Sequence, residues 1–452
     1  MLKMLFFDYW GIETVRHFQR RLNKPVKHAG NPLFIADEAW EENNLQTYGS
    51  VIKLPGRPFQ LWYSVTHRKP KNIVLCYAES DDGLAWRKPK LDLVKYKGRK
   101  TNIVFDQDPH GPAIVWDEAY KVYRMIAGTS PTGCISVYTS ADGQRWTPMN
   151  QGPCIGNKPD CSMGLVKGRD GRWAAYHRHP STGRRVCRTT SSNFRFWDTE
   201  PRLVFEPDAH DPPQLQFYAL GSAMYGPYEL GTLWAYHTQE DDLATWHMKG
   251  QQHAELAYSR SGYAWHRAAQ GEPFIPHGQG KDWDSGNLQC ASQPVYLDDE
   301  IRYYFAAGNI KHDTDWELKP NQVSGIGVAT LKPDRFIALD ADGKEAELLT
   351  FWFSLAGPEL FINADIRRGG QIVMELLTQE GQPIKGFSAS DCVPVQGDSL
   401  AHRVQWKGQP DASPWVGKLV RLRVRAQRAS LYSIFVPAAG EKPVYHQFAM
   451  PF

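Results

Sequence analysis

The chain has 452 residues, room for two or three domains and a large core, with 12% aromatic residues and 16 tryptophans, a composition that suits a β protein handling flat, hydroxylated ligands and speaks against disorder. A formal net charge of +3 gives no electrostatic case for nucleic acid, and the basic run KYKGRK at 95–100 reads as a solvated loop. Seven cysteines without a C-x-x-C pair argue against a disulfide framework or a structural zinc and read as buried thiols.

The opening MLKMLFFDYW has too short an apolar core for a signal peptide, and no window approaches a membrane span. The chain as given therefore reads as cytoplasmic with no membrane partner, although a periplasmic or secreted protein whose leader had been removed would read the same. Residues 1–46 contain Lys-Pro and Asn-Pro steps, which predict an extended segment with turns that wraps or closes whatever follows.

From residue 47 the chain is repetitive. The stretch YAESDDGLAW (77–86) returns as YTSADGQRW (138–146), more weakly as RTTSSNFRFW (188–197), and as YSRSGYAW (258–265); VATLKPDRF (328–336) is a degraded fifth copy. In each, a run of β-formers ends, Asp or Ser bonds back to the turn backbone, Gly supplies a positive φ, and an aromatic covers the sheet. Such units cannot bury their own faces alone, and radial stacking into a β-propeller of four-stranded blades solves this. The fold class expected is all-β, with a five-bladed propeller over 47–340. Beyond Leu339-Asp340-Ala341-Asp342-Gly343 the marker turn is lost while apolar alternation continues, so 341–452 reads as a β-sandwich. Such an appendage can bind carbohydrate or brace the propeller; bracing is the reading favoured, because no exposed aromatic cluster can be told from core aromatics in sequence.

The innermost strand of each blade starts near the axial funnel, so polar residues just before those strands converge from distant parts of the chain. Each of the five positions carries carboxylates: Asp37, Glu38, Glu41 and Glu42; Asp106 and Asp108; Asp160; Asp211; Asp282 and Asp284. Asp before a strand is ordinary turn chemistry when taken singly. Recurrence at five equivalent places points instead to glycoside hydrolysis, where one carboxyl stays protonated for the leaving group and another activates water or attacks the sugar. Crowded carboxylates push each other's pKa apart, which supplies an acid and a base from one residue type. Trp40, Tyr218, Trp234 and Trp283 are candidate stacking platforms, and Arg178, His179, Asp211 and His237 candidate ligands for sugar hydroxyls or a carboxylate. For each aromatic alone, blade packing is the competing reading. The histidines at 177, 179, 237, 247 and 253 make no metal-binding spacing, so no metal and no cofactor are expected, and a structural calcium has no support.

The stretches QDPHGPAIVWDEAYKVYRMIAG (107–128) and QFYALGSAMYGPYELGTLWAYH (216–237) resemble the Arg-Asp-Pro and fourth-blade regions of the five-bladed furanosidase superfamily, which includes glycoside hydrolase families 32 and 43. The opening FFDYWGIE…RRLNKPVKHAGNPLF, the DSGN…ASQPV…DEI segment and the ending FINADI…GFSASDC…GDS…HRVQWKG are similar to a group of uncharacterised bacterial proteins related to family 32. That resemblance implies a propeller followed by a sandwich. It implies that Asp108 stabilises the transition state and tunes the acid, and that Asp160 lies where the third-blade general acid, usually Glu, would be. The family's first-blade Asp is missing, since Gln46-Thr47-Tyr48 stands there. Glu41, or else Glu42, Asp37 or Glu38, must then serve as base or nucleophile, with Asp284 in reserve. The function expected is an exo-acting glycoside hydrolase on a terminal sugar. The alternatives are a non-catalytic carbohydrate-binding propeller, or a lyase or phosphorylase on the same scaffold. The sugar, the stereochemical outcome and the oligomeric state stay open.

Overall fold

A computed structural model describes residues 2–42, 44–68, 71–129, 134–156, 162–179, 183–238, 249–312, 322–438 and 441. Its described residues divide into two compact units: those of 2–24, Asp298–Glu300 and those from Leu331 onward form one, and those of Pro25–Leu297 and Ile301–Thr330 form the other. Apart from one 3-10 turn at Ser413–Trp415, every regular element described is a strand. Among the described residues no helix is long and apolar enough to cross a membrane.

The larger unit is a five-bladed propeller. Blade one is built from the inner strands Leu45–Gln46 and Val51–Lys53, then Phe59–Arg68, Lys71–Ser80 and the outer Ile103–Phe105. Blade two runs Pro109–Asp117, Val122–Thr129, Cys134–Ser140 and Thr147–Pro148. Blade three runs Ser162–Lys167, Trp173–Arg178, Val186–Ser191 and Arg202–Phe205. Blade four runs Leu215–Tyr225, Tyr228–Thr238, Gly250–Ser259 and Trp265–Arg267. Blade five takes Asn287–Cys290 and Val295–Tyr296, Ile301–Gly308 and Ser324–Leu331, and its outer edge comes from the other end of the unit, where Val26–Lys27 and Phe34–Ile35 pair with Ser324–Leu331. The segment before blade one is thus divided. Residues 25–35 complete the last blade of the propeller, while residues before them belong to the other unit.

The marker turns are equivalent in atomic detail. In blade one Ser80 Oγ accepts from Gly83 N at 2.8 Å while Asp82 Oδ1 accepts from Leu84 N and Ala85 N at 2.8 Å. Ser140 and Asp142 do the same for Gly143, Gln144 and Arg145. In blade three Asn193 takes the place of Asp, accepting from Arg195 N and Phe196 N at 3.0 and 2.9 Å, and in blade four Ser261 does so at 3.2 and 3.3 Å. These backbone donors hold the Asp82 carboxyl down at about 2.

Each turn also latches onto the preceding blade. Tyr304 of blade five donates its hydroxyl to Gly83 O at 3.0 Å, Trp62 of blade one its indole N–H to Gly143 O at 2.6 Å, and Tyr176 of blade three its hydroxyl to Gly262 O at 3.1 Å. Blade three's turn has Phe194 at φ +66° in place of glycine, with the Arg124 guanidinium of blade two 5.5 Å from its ring. A glycine is required for closeness as well as for φ: a Cβ on Gly143 (φ +77°) would stand 2.6 Å from the Trp62 ring, and one on Gly83 2.5 Å from Tyr304 Oη. The fifth copy departs from this pattern. Its Asp334 (φ +65°) lies in the smaller unit, accepts a hydrogen bond from Ser433 at 2.8 Å and pairs with Lys3 at 2.6 Å.

The smaller unit is a nine-stranded sheet in which Leu419–Val436 is the common partner of Leu2–Leu5, Ile337–Ala341, Ala346–Thr350, Phe353–Ser354 and Phe361–Thr378. Val420, Leu422, Val424 and Ala426 alternate inward and are buried, the period-2 pattern of a strand with one covered face. Register shifts between Ile366 and Gln371, next to Gly369 and Gly370 and opposite Arg428 (φ +51°), mark a bulge where the two longest strands bend.

The latch predicts a difference between two glycines of nearly equal φ. Gly98 (φ +79°) has nothing near its missing Cβ, so Gly98→Ala should cost about 1 kcal/mol in left-handed strain. Gly143→Ala adds overpacking against Trp62 and should cost about 3 kcal/mol. Urea unfolding of the two variants measures the gap, and equal losses would mean that the Trp62 contact contributes nothing.

Candidate active site

The rule that residues at the starts of inner strands converge at the axis holds, but what meets there is chiefly aromatic and basic. Tyr48 of blade one donates between hydroxyls with Tyr218 of blade four at 2.8 Å, and its ring lies 5.4 Å from that of His110 of blade two. Tyr218 Oη is 3.1 Å from Nε2 of His312, which follows the second strand of blade five, and Tyr236 Oη is 3.4 Å from the other ring nitrogen. From blade three the Arg178 guanidinium sits 4.9 Å from the Tyr218 ring, and Arg184 lies 5.0 and 5.1 Å from the rings of Tyr218 and Tyr236. Arg184 also donates to Gln216 Oε1 at 2.9 Å. Tyr48, Tyr218 and Tyr236 themselves belong to one buried cluster with Met163, Ala219 and Trp234. All five blades contribute.

Asp108 stands at the edge of this group. It is half-buried, holds φ +52°, and its Oδ1 accepts from Ile73 N at 2.8 Å, so one oxygen ties blade two's inner strand to blade one's third. Burial and the Arg178 charge push His110 down to about 4, with the Asp108 charge opposing them. His110 is therefore neutral at ordinary pH, able to donate from one nitrogen and accept at the other. His177 is also pushed to about 4, by burial first and by the nearness of His179 after it. Its two nitrogens contact Arg178 O at 3.0 Å and Thr189 Oγ1 at 2.8 Å, which fixes the strand end that carries Arg178. His179 is half-buried, with its backbone N–H on Arg185 O at 3.0 Å.

Several expected residues are engaged elsewhere. Glu41 is fully buried: Oε1 accepts from Tyr63 Oη at 2.6 Å, Oε2 from Asp37 N and Glu38 N at 2.9 and 3.0 Å, and Lys88 Nζ is 2.8 Å away. With its acceptor sites filled and no solvent contact, it is a clip that holds residues 37–41 to blade one rather than a group free to attack or deprotonate. Trp40 is a correction of the same kind. Its ring is buried in the core of blades one and five and its indole N–H donates to Asn102 Oδ1 at 2.8 Å, so it offers no face to a sugar. Trp234 is likewise fully buried beneath Tyr48 and Tyr218, so it floors the axial group instead of stacking on a ligand.

Asp211 and His237 fall in a second network on blade four. Asp211 pairs with Arg267, which also reaches the buried Glu255 at 3.4 Å; Glu255 is 3.3 Å from His253, and His253 stacks on His237 at 5.1 Å. Burial, with the neighbouring His253, pushes His237 down. Asp284 opens blade five, buried and paired with Lys27 of the closing strand at 2.5 Å, while the half-buried Trp283 beside it stacks on Phe305 at 6.0 Å and 14°. Asp160 lies outside the described residues. No group of three or more metal-ligating side chains occurs among the described residues. A cleft of about 500 Å³ opens away from the axis, between outer strands of blades three and four, lined by Phe205, Asp208, Tyr258 and His266 among others.

Tyr48, His110, Arg184, Tyr236, His312 and Lys27 were not singled out in the sequence. Tyr48 and His110 occupy blade-entrance positions and could have been found by asking for any polar side chain there instead of for acids. His312 follows a second strand, outside every repeat, and had no such signal.

Residues 24–154 match the family described as Glycosyl hydrolases family 32 N-terminal domain. The match takes in the closing strands and the first two blades. Among solved structures, a glycosyl hydrolase from Bacteroides ovatus is 16% identical with a TM-score of 0.49, over 70% of this chain and 95% of its own. The catalytic domain of a Coprinopsis cinerea GH62 alpha-L-arabinofuranosidase is 12% identical with a TM-score of 0.43, over 70% of this chain and 97% of its own. No curated protein matches the sequence.

One carboxyl is pushed near neutrality, and it lies at the far end of blade four. Burial raises Glu229 to about 7 against the opposing Arg188 charge; it sits beside the turn hairpin Tyr225–Tyr228, about 25 Å of strand from His237. A folded-state pKa above the unfolded value means the contribution to stability is whole below about 4.5 and is lost as pH rises through about 7. Glu229→Gln should remove this slope and raise stability by about 3 kcal/mol at pH 8 relative to pH 4. Denaturant titrations at the two pH values test it, and parallel curves for both proteins would refute it.

Proposed function

We propose that the propeller is a glycosidase acting at its axial opening on the terminal sugar of an oligo- or polysaccharide. The observation that carries this reading is the meeting of Tyr48, His110, Arg178, Tyr218 and His312, one from each blade, about the hydrogen-bonded pair Tyr48 and Tyr218 in a chain whose residues 24–154 match a glycoside hydrolase family model. Hydroxyls, neutral imidazole and guanidinium are the donors and acceptors that orient sugar hydroxyls. Met163, Ala219 and Trp234 pack against the buried Tyr48, Tyr218 and Tyr236, and a pocket opening over such a packed cluster would take a terminal residue rather than an internal one.

Glycoside hydrolysis needs two carboxyls. Asp108 is our candidate for the group that steadies charge on the sugar, because it is partly exposed and next to the axial His110. Asp160 is the candidate general acid, a role it takes from the resemblance alone. With Glu41 sealed, Asp284, paired with Lys27 at 2.5 Å, joins Glu42, Asp37 and Glu38 as a candidate for base or nucleophile. A furanose is the sugar type the family resemblance favours.

Turnover of aryl glycosides and plant or algal oligosaccharides should fall about 10²–10⁴-fold in Asp108→Asn and in Asp160→Asn, with the melting transition kept. The sealing of Glu41 also favours a second reading, a propeller that binds carbohydrate without cleaving it. Binding without turnover, indifferent to both substitutions, would establish that reading, whereas phosphate dependence or an unsaturated product would mean a phosphorylase or a lyase.

A further inference from the structure

In the smaller unit, two of the few strongly exposed aromatics are tryptophans. Among the described residues, Trp10 (74% exposed) and Trp352 (51%) are the tryptophans counted among exposed large hydrophobics, and Tyr9 (53%) and Phe351 (51%) adjoin them in sequence. These pairs come from opposite ends of the chain and are brought together by pairing. Ile12 is the register partner of Thr350, and Phe351 N donates to Gly11 O at 2.9 Å. The strand ends there: Ile12 N donates back to Tyr9 O at 3.0 Å, so Trp10 lies in the turn just before Gly11 and Trp352 follows the Phe351 bonded to that glycine. The same edge continues through Phe353–Ser354, paired with Leu419–Val420, to the half-buried Trp415.

Burying an indole is strongly favourable, so two of them kept in water, each next in sequence to a partner of the Phe351–Gly11 hydrogen bond, mark a binding surface. Its chemistry narrows the occupant. Glu13 pairs with Arg421, and the Asp8 carboxylate accepts from Trp10 N at 3.1 Å. The surface therefore offers flat π faces beside a carboxylate, which suits neither nucleic acid nor an acidic partner. It suits the C–H face of neutral sugar rings, and at about 3.3 Å per strand residue the stretch from Trp10 and Trp352 to Trp415 is long enough for successive rings of one chain. We propose that this edge is a non-catalytic binding site for a neutral polysaccharide, with sugar rings stacked on Trp10 and Trp352. It would hold polymer independently of whatever the propeller does to it.

Affinity electrophoresis of the full chain in gels containing inulin, arabinan, xylan or β-mannan tests the site. At least one polymer should retard the protein, and W10A/W352A should weaken that retardation at least tenfold in Kd. Trp352→Tyr, which keeps a ring, should retain most of it. The double variant should keep the melting transition and its turnover of a small aryl glycoside, a readout that judges the propeller separately. The proposal is overturned if no polymer retards the protein, if the double variant is retarded as before, or if the double substitution instead breaks up a dimer seen by light scattering, which would make the edge a contact between copies.

Discussion

The propeller depends on contacts that cross from one blade to the next, three of them the same hydrogen bond. An aromatic on the second strand of one blade gives its N–H or O–H to the glycine carbonyl of the following marker turn, as in Trp62 to Gly143, Tyr176 to Gly262 and Tyr304 to Gly83. A buried indole or phenol needs a partner for its polar atom, and a turn glycine without a Cβ lets the ring come close enough to find one. The last of these bonds joins blade five to blade one, so the latch runs around the ring as well as along it. Burial of the aromatics supplies the larger free energy, while the hydrogen bond, worth about 1 kcal/mol net, selects one docking geometry.

The same economy explains what became of the carboxylates. A charged oxygen is the strongest acceptor available to a backbone N–H or an ammonium group, and at the blade entrances there are many such donors at strand starts. Glu41 collects two backbone amides, a phenol and Lys88; Asp108 collects Ile73 N; Asp284 collects Lys27; Asp211 collects Arg267. These are ties between blades, between a blade and the closing segment or, for Asp211, within blade four. Of the four, Asp108 keeps the most room for a ligand, because it is half-buried and spends one oxygen on its tie. The axial position is left to Tyr48, His110, Arg178, Tyr218 and His312, groups that orient hydroxyls.

The acidic recurrence was thus a true signal of position and a poor guide to role. An Asp at a strand entrance satisfies turn chemistry, an ion pair or catalysis with the same letter, and only its donors distinguish them. The tryptophans went the same way. Trp40 and Trp234 have the composition of a sugar platform and the burial of a core, whereas Trp10, Trp352, Tyr9 and Phe351, which carry no marker at all, stand in water.

The sequence by itself determined the blade repeat, because the turn is local: Ser, Asp and Gly within four residues make their hydrogen bonds to one another, and that spacing is visible in a string. It also pointed to a change of domain type, where apolar alternation outlives the marker, but set it at 340, whereas the smaller unit takes the chain from Leu331 onward. What the tertiary structure alone decided is which side chain faces which. Val26 and Phe34 become the outer edge of blade five, residues 2–24 join the unit formed by the end of the chain, and Glu41 meets Tyr63 and Lys88. Those partners lie tens to hundreds of residues apart, and burial and hydrogen bonding between them depend on ring closure and sheet register, which no local pattern encodes.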